Sequence, residues 1–270
     1  MIAGVLKDKA LAGELARIAK NYGKVGRLVL QYMLHASWGK ATIRDPDARL
    51  KFFTENVTKY CRPTLAAMHF DLKVVGYDAE MMANRNFLIV CNHLSYVDVM
   101  AMATVQPTVF ITSVDMGETF FLGTMAELGG SIFVERRHRS QIGRDTGVIA
   151  DTLRKGHQVM IYPEGTSSDG QHILPFKKSL LMAAVEAGVD ILPVVIKYME
   201  IDGEPFGPAN ADKVAWFGDM PFVPHMNGLL SNKSVKAELR FLEPIKVSKE
   251  SSRHELSDQA YKAMTESYAR

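Results

Sequence analysis

The sequence predicts an α/β fold, with a mixed, mostly parallel sheet flanked by helices and preceded by an N-terminal amphipathic helical segment. Three observations point to it. From about residue 69, short apolar runs of strand length alternate with stretches of helical period. That alternation favours parallel strands joined by crossover helices. Before it, apolar residues recur at steps of three and four across residues 11–32, the mark of one helical stripe. Finally, 270 residues with 47% hydrophobic and 23% charged content suffice for one well-buried α/β domain and an appendage. The expected division is 1–66 as a helical segment and 67–270 as the α/β domain.

Taken in order, the first element carries Leu11, Leu15, Ile18, Tyr22, Val25, Val29 and Tyr32 on one stripe, with Arg17, Lys24, Gln31 and His35 on other faces. Such a stripe serves either an in-plane membrane helix or a helix packed on its own protein, because periodicity does not distinguish lipid from protein. Strands follow at Phe70–Val74, Phe87–Cys91, Val109–Thr112, Ser131–Val134, Val159–Tyr162, Ile191–Ile196 and Val235–Phe241. Helices are expected at about 95–104, 118–128, 140–155, 178–188 and 252–268. Residues 202–233, with Gly203, Pro205, Gly207, Pro208, Pro221 and Pro224, read as a long irregular excursion forming a lid or wall. Within it Trp216, Phe217, Met220, Phe222 and Met226 suggest either an apolar wall for an acyl chain, an interfacial anchor, or ordinary loop packing.

A net charge of +2 with no dense basic run excludes a general nucleic-acid binder. The charge is uneven, because residues 1–40 hold Lys7, Lys9, Arg17, Lys20, Lys24, Arg27 and Lys40 against Asp8 and Glu14. No uninterrupted apolar stretch is long enough to span a bilayer, so any membrane contact is expected to be peripheral. Cys61 and Cys91 are consistent with a reducing compartment, which places the protein facing the cytosol.

Two short segments carry the chemistry. Asn92-His93-Leu94-Ser95-Tyr96-Val97-Asp98 puts a His five residues before an Asp at a strand-to-helix junction, so the chain can fold back and bring carboxylate to imidazole. That pair suits proton removal from a hydroxyl, with Asp98 fixing the tautomer of His93. It also lies where strand ends open a ligand site. Asn92 and Ser95 read as caps of the following helix. Cys91 shares a strand face with His93 and reads either as a thiol nucleophile or as a small apolar filler. The second segment, Tyr162-Pro163-Glu164-Gly165-Thr166, is a strand opening into a turn. Glu164 either projects into a site or is a turn carboxylate, and Gly165 admits close approach or positive φ. Arg136, ending a third strand, reads as an oxyanion anchor or as a solvated charge.

Together Asn92-His93-x4-Asp98, Gly130-x2-Phe133-x2-Arg136, Tyr162-Pro163-Glu164-Gly165-Thr166 and Leu192-Pro193-Val194-Val195-Ile196 resemble the four ordered blocks of the glycerolipid acyltransferases, a family that includes 1-acylglycerol-3-phosphate O-acyltransferase. The resemblance spans about residues 70–200. It implies transfer of a fatty acyl group from acyl-CoA or acyl carrier protein to a lysolipid hydroxyl, with no cofactor, no metal and no covalent acyl-enzyme. His93 and Asp98 are the implied catalytic pair, and Arg136, Glu164, Gly165 and Thr166 the implied acceptor headgroup site. The implied product is phosphatidic acid, made at the cytoplasmic side of a bacterial inner membrane by a peripherally bound enzyme.

One departure bears on the acceptor. Many phosphatidic-acid-forming members carry Arg after Glu-Gly-Thr, where this chain has Ser167. A missing cation removes a charge-assisted phosphate contact of about 1.5–3 kcal/mol, which Arg136, Arg137, Lys177 or Lys178 could replace. The run Glu164-Gly165-Thr166-Ser167-Ser168-Asp169-Gly170, with Leu174-Pro175-Phe176-Lys177 and Trp216-Phe217-Gly218-Asp219-Met220, is similar to a bacterial branch that includes lyso-ornithine lipid O-acyltransferases. A lyso-aminolipid is therefore the alternative acceptor. A non-catalytic lipid-binding protein and a hydrolase are the more distant readings.

Overall fold

The computed structural model describes the backbone of residues 2–135 and 139–270, and the side chains of residues 12, 15–135 and 140–270. Two long helices come first, α1 (Ile2–Thr42) and α2 (Pro46–Ala67). The body follows as β1 (Phe70–Val75), α3 (Ala79–Asn84), β2 (Leu88–Cys91), α4 (Tyr96–Ala103), β3 (Val109–Ser113), α5 (Val114–Gly117), α6 (Phe120–Leu128) and β4 (Ile132–Val134). It continues through α7 (Ile142–Arg154), β5 (Val159–Ile161), α8 (Met182–Ala187), β6 (Ile191–Ile201), β7 (Glu204–Pro205), α9 (Phe222–Ser231), β8 (Val235–Phe241) and α10 (Arg253–Tyr268).

The strands form one sheet in the order β1-β8-β6-β2-β5-β3-β4, with β7 beside β6. All pairs are parallel except β6 with β8 and β6 with β7. This is the mixed, mostly parallel sheet that the alternation predicts. At its centre, the Leu88-Ile89-Val90-Cys91 run of β2 is buried throughout, because helices cover both faces. Ile89 and Cys91 face a core shared with α2, α4 and α9, whereas Leu88 and Val90 face one shared with α7, α8 and α10. Period-two alternation thus divides one apolar run between two layers.

The stripe of the N-terminal helix packs on protein. Tyr22 and Val25 lie against the α2–α4–α9 core, and Tyr32 and Ala36 are buried with Phe53 of α2 and Leu128 of α6. The Tyr32 hydroxyl donates to the Met125 carbonyl at 2.9 Å, and the Arg17 guanidinium to the carbonyls of Ser231 and Asn232 at 2.9 and 3.0 Å. Of the stripe's described residues Leu15 is exposed, and the side chain of Leu11 lies outside the described residues. A different face of α1 is apolar and open, carrying Leu30, Leu34 and Trp38. Among the described residues no helix is long and apolar enough to cross a membrane.

The excursion at 202–233 is more regular than expected, because it holds β7 and the ten-residue α9. Pro221 and Pro224 do not break that helix. Pro221 stands at the N-cap and Pro224 in the first turn, where no intrahelical N–H bond is lost.

Candidate active site

The site lies at the C-terminal ends of β2 and β5, where the chain leaves the sheet in the two motif segments. After Cys91 the chain turns into α4, with Ser95 at the N-cap and Asp98 in the first helical turn. The fold-back brings His93 Nδ1 to 2.9 Å from Asp98 Oδ2. The same oxygen accepts the backbone N–H groups of Leu94 and Ser95 at 2.7 and 2.8 Å. Its other oxygen accepts the Tyr198 hydroxyl at 2.7 Å. Asp98 is buried, so these four donors take the place of water around its oxygens. With Nδ1 donating to Asp98, the Nε2 lone pair of His93 is left to act as a base. The His93 side chain is 22% exposed, enough to meet a substrate.

The second segment wraps around His93. Glu164 Oε1 accepts the His93 backbone N–H at 2.7 Å, and Ser168 N–H donates to the His93 carbonyl at 2.9 Å. Glu164 Oε2 accepts the Leu174 N–H at 2.8 Å, so both its oxygens are committed to backbone amides. It is only 3% exposed, and burial pushes its carboxyl up to about 7. Glu164 was expected to shape the headgroup site. Its oxygens face the backbone amides of His93 and Leu174, because a strand-end carboxylate flanked by unpaired amides is drawn inward to satisfy them. Tyr162, before it, lies flat against the imidazole, with ring centroids 4.0 Å apart and planes 19° apart.

Gly165 has φ +72°, and a Cβ there would come within 2.6 Å of Lys177 Nζ. The Lys177 ammonium therefore lies across the Gly165 backbone, and the Lys177 backbone N–H donates to the Pro163 carbonyl at 2.7 Å. Thr166 is exposed beside it. Ser167 does not face outward as an acceptor contact, because its hydroxyl donates to the Trp216 carbonyl. Arg136, and with it Arg137, lies outside the described residues.

Two flanking residues differ from expectation. Asn92 does not cap α4. Its side-chain amide donates to the Ile196 carbonyl and accepts the Ile196 N–H, both at 2.9 Å, continuing the β2–β6 ladder one residue past the strand. Cys91 is fully buried, and burial raises its thiol well above the ordinary value, with Asp98 and Glu164 adding to the rise. It fits the apolar-filler reading. Tyr198 is the residue that sequence reasoning missed. It lies beyond the expected end of β6, 100 positions from Asp98, and no local pattern links the two.

Comparison with known proteins identifies the family. The family model described as Acyltransferase matches residues 72–197. Lyso-ornithine lipid O-acyltransferases of Rhizobium meliloti and Brucella abortus are 32% and 35% identical over 68% and 70% of this chain, which spans 65% and 72% of their lengths. A 1-acyl-sn-glycerol-3-phosphate acyltransferase of Neisseria meningitidis is 34% identical over 53% of this chain and 55% of its own. The crystal structure of the 1-acyl-sn-glycerophosphate acyltransferase PlsC from Thermotoga maritima superposes with a TM-score of 0.67 at 20% identity, over 96% of this chain and 95% of that one, which shows a shared fold. With the matched region enclosing His93, Asp98 and Glu164, and with a relative 35% identical across most of both chains, the chain belongs to the acyltransferase family.

Proposed function

We propose that the protein transfers a fatty acyl group from an acyl-CoA or acyl-carrier-protein thioester to the free hydroxyl of a lysolipid. The observation that carries this is the His93–Asp98 pair, with its Nε2 side open at the end of the sheet. His93 Nε2 takes the proton of the acceptor hydroxyl as the oxygen attacks the thioester carbonyl, and Asp98 stabilises the imidazolium. Collapse of the tetrahedral adduct forms the ester and expels the thiolate, which takes the proton back from Nε2. Direct attack is favoured over an acyl-enzyme because the neighbouring thiol, Cys91, is buried and kept protonated.

For the acceptor, the lyso-aminolipid reading gains from the relatives. Those named for lyso-ornithine lipid align over 68% and 70% of this chain, against 53% for the one named for 1-acylglycerol-3-phosphate. Ser167, tied to Trp216, supplies no cation after Glu-Gly-Thr. The second reading, 1-acylglycerol-3-phosphate giving phosphatidic acid, is favoured by Lys177 lying across Gly165, where it could meet a phosphate. Arg136, Gly165 and Thr166 remain the headgroup contacts proposed by resemblance. We place the enzyme peripherally at the cytoplasmic face of a bacterial inner membrane, with the open face of α1 and its cations Lys20, Lys24 and Arg27 toward lipid.

Purified full-length protein offered both lysolipids with one acyl thioester tests this reading. Diacyl lipid formation with free thiol release is expected, faster on the lyso-ornithine acceptor. Faster turnover of 1-acylglycerol-3-phosphate selects the second reading, and fatty-acid release without acylation of either would defeat both.

A further inference from the structure

Four rings run outward from the catalytic loop. Tyr96, three residues past His93, contacts Trp216 with centroids 5.7 Å apart and Phe222 at 5.2 Å, and Phe222 contacts Phe121 at 5.9 Å. Trp216 is fixed between the two motif segments, because its backbone N–H donates to the Leu94 carbonyl at 2.8 Å and its own carbonyl accepts the Ser167 hydroxyl. The run ends where the first turns of α6 and α9 meet at Phe121 and Phe222. Those turns read Phe120-Phe121-Leu122 and Phe222-Val223-Pro224, without a charge or hydrogen-bonding side chain. Phe120 is 94% exposed, and Phe121 and Val223 are exposed as well. A contiguous apolar patch rising from a catalytic loop marks a binding surface and is not accidental exposure. The helices then diverge along α1, α9 toward Arg17 and Tyr22 and α6 toward Tyr32 and Lys40. Lys20, Lys24 and Arg27 are exposed on the open face of α1.

We infer that the acyl chain already carried by the lysolipid acceptor lies along Phe121, Phe222, Trp216 and Tyr96, entering over the first turns of α6 and α9 with its hydroxyl end at His93. This rests on the acyl-transfer reading and adds a route and a chain contact to it. The wall starts at the outer surface, where a lysolipid leaves a bilayer, and ends at the base that must meet its hydroxyl. The cations on α1 suit the anionic headgroups of the surface it leaves.

The test uses the full chain and two water-soluble lysolipids with the same headgroup, one short-chain and one medium-chain, both below micelle formation. The measured quantity is the ratio of kcat/KM for the medium-chain over the short-chain acceptor, which cancels any general loss of folded enzyme. Phe121→Ser and Phe222→Ala are each expected to lower that ratio about 10-fold, the scale of one lost phenyl contact, and Phe121→Leu to restore most of it. Phe120→Ser, at a residue too exposed to support the fold, is expected to lower it less. An unchanged ratio in Phe121→Ser and Phe222→Ala would overturn the route. So would a loss of selectivity only for the chain length of the thioester donor, which would put the donor's chain on the wall. No transfer by the wild type to either acceptor would instead refute the reading on which the route rests.

Discussion

Tyr162 lies flat on His93, its ring centroid 4.0 Å from that of the imidazole. The contact fixes the plane of the imidazole and, in the proposed mechanism, offers the negative face of a phenol ring to the imidazolium, an interaction worth about 0.5–2 kcal/mol. Among the described residues the buried Tyr162 hydroxyl has no hydrogen-bond partner, so the ring and not the oxygen carries the effect. Tyr162→Phe is expected to keep near-normal kcat, and Tyr162→Leu to lose roughly 10-fold in kcat with little change in KM. Equal losses in both variants, read by steady-state kinetics, would show that the hydroxyl matters and the stack does not.

Tyr198 reaches Asp98 from across the sheet and donates its hydroxyl to Oδ1 at 2.7 Å. A hydrogen bond to a buried charge contributes about 1.5–3 kcal/mol. Tyr198→Phe leaves Asp98 with one donor fewer, which in the proposed mechanism makes its carboxylate a poorer partner for the imidazolium. A fall in kcat of roughly 10-fold is expected, together with a lower urea midpoint. If kcat is unaffected while stability drops, Tyr198 serves the fold alone.

Glu164 couples the site to pH through stability. Burial raises its carboxyl from 4.5 to about 7, so the folded protein holds a proton that the unfolded chain has lost between these values. The associated stability is complete below about 4.5 and is lost as pH rises through about 7, with a ceiling of roughly 3 kcal/mol. Glu164→Gln cannot titrate and should lack this fall. The expected signature is a difference in unfolding free energy between the two proteins that changes across pH 4.5 to 7 and is level above it. Parallel curves would place the true carboxyl value near that of a solvated glutamate.

The sheet was legible because its strands are short apolar runs separated by helical period, and β2 shows why. Its four residues serve two cores at once, which demands the uninterrupted apolar run that the sequence displays. The His93–Asp98 pair was legible for a local reason, since five residues across one helix start suffice to bring them together. Helix α9 was not, because Pro221 and Pro224 read as breakers unless the helix start is already known. Tyr198 was invisible because only sheet pairing, a long-range fact, carries it to Asp98. Glu164 was visible as a residue but not in its direction, which is set by the amides of His93 and Leu174 rather than by its neighbours in sequence.

In the proposed mechanism His93, oriented by Asp98, removes the proton of a lysolipid hydroxyl. Acyl transfer from an acyl thioester to a lysolipid by purified His93→Ala, compared with the wild type at matched thermal unfolding midpoints, tests it most directly. A loss of at least about 10²-fold is expected, the lower bound for removing a general base. A folded His93→Ala protein that keeps transfer within about threefold of the wild type, well short of that bound, would contradict it.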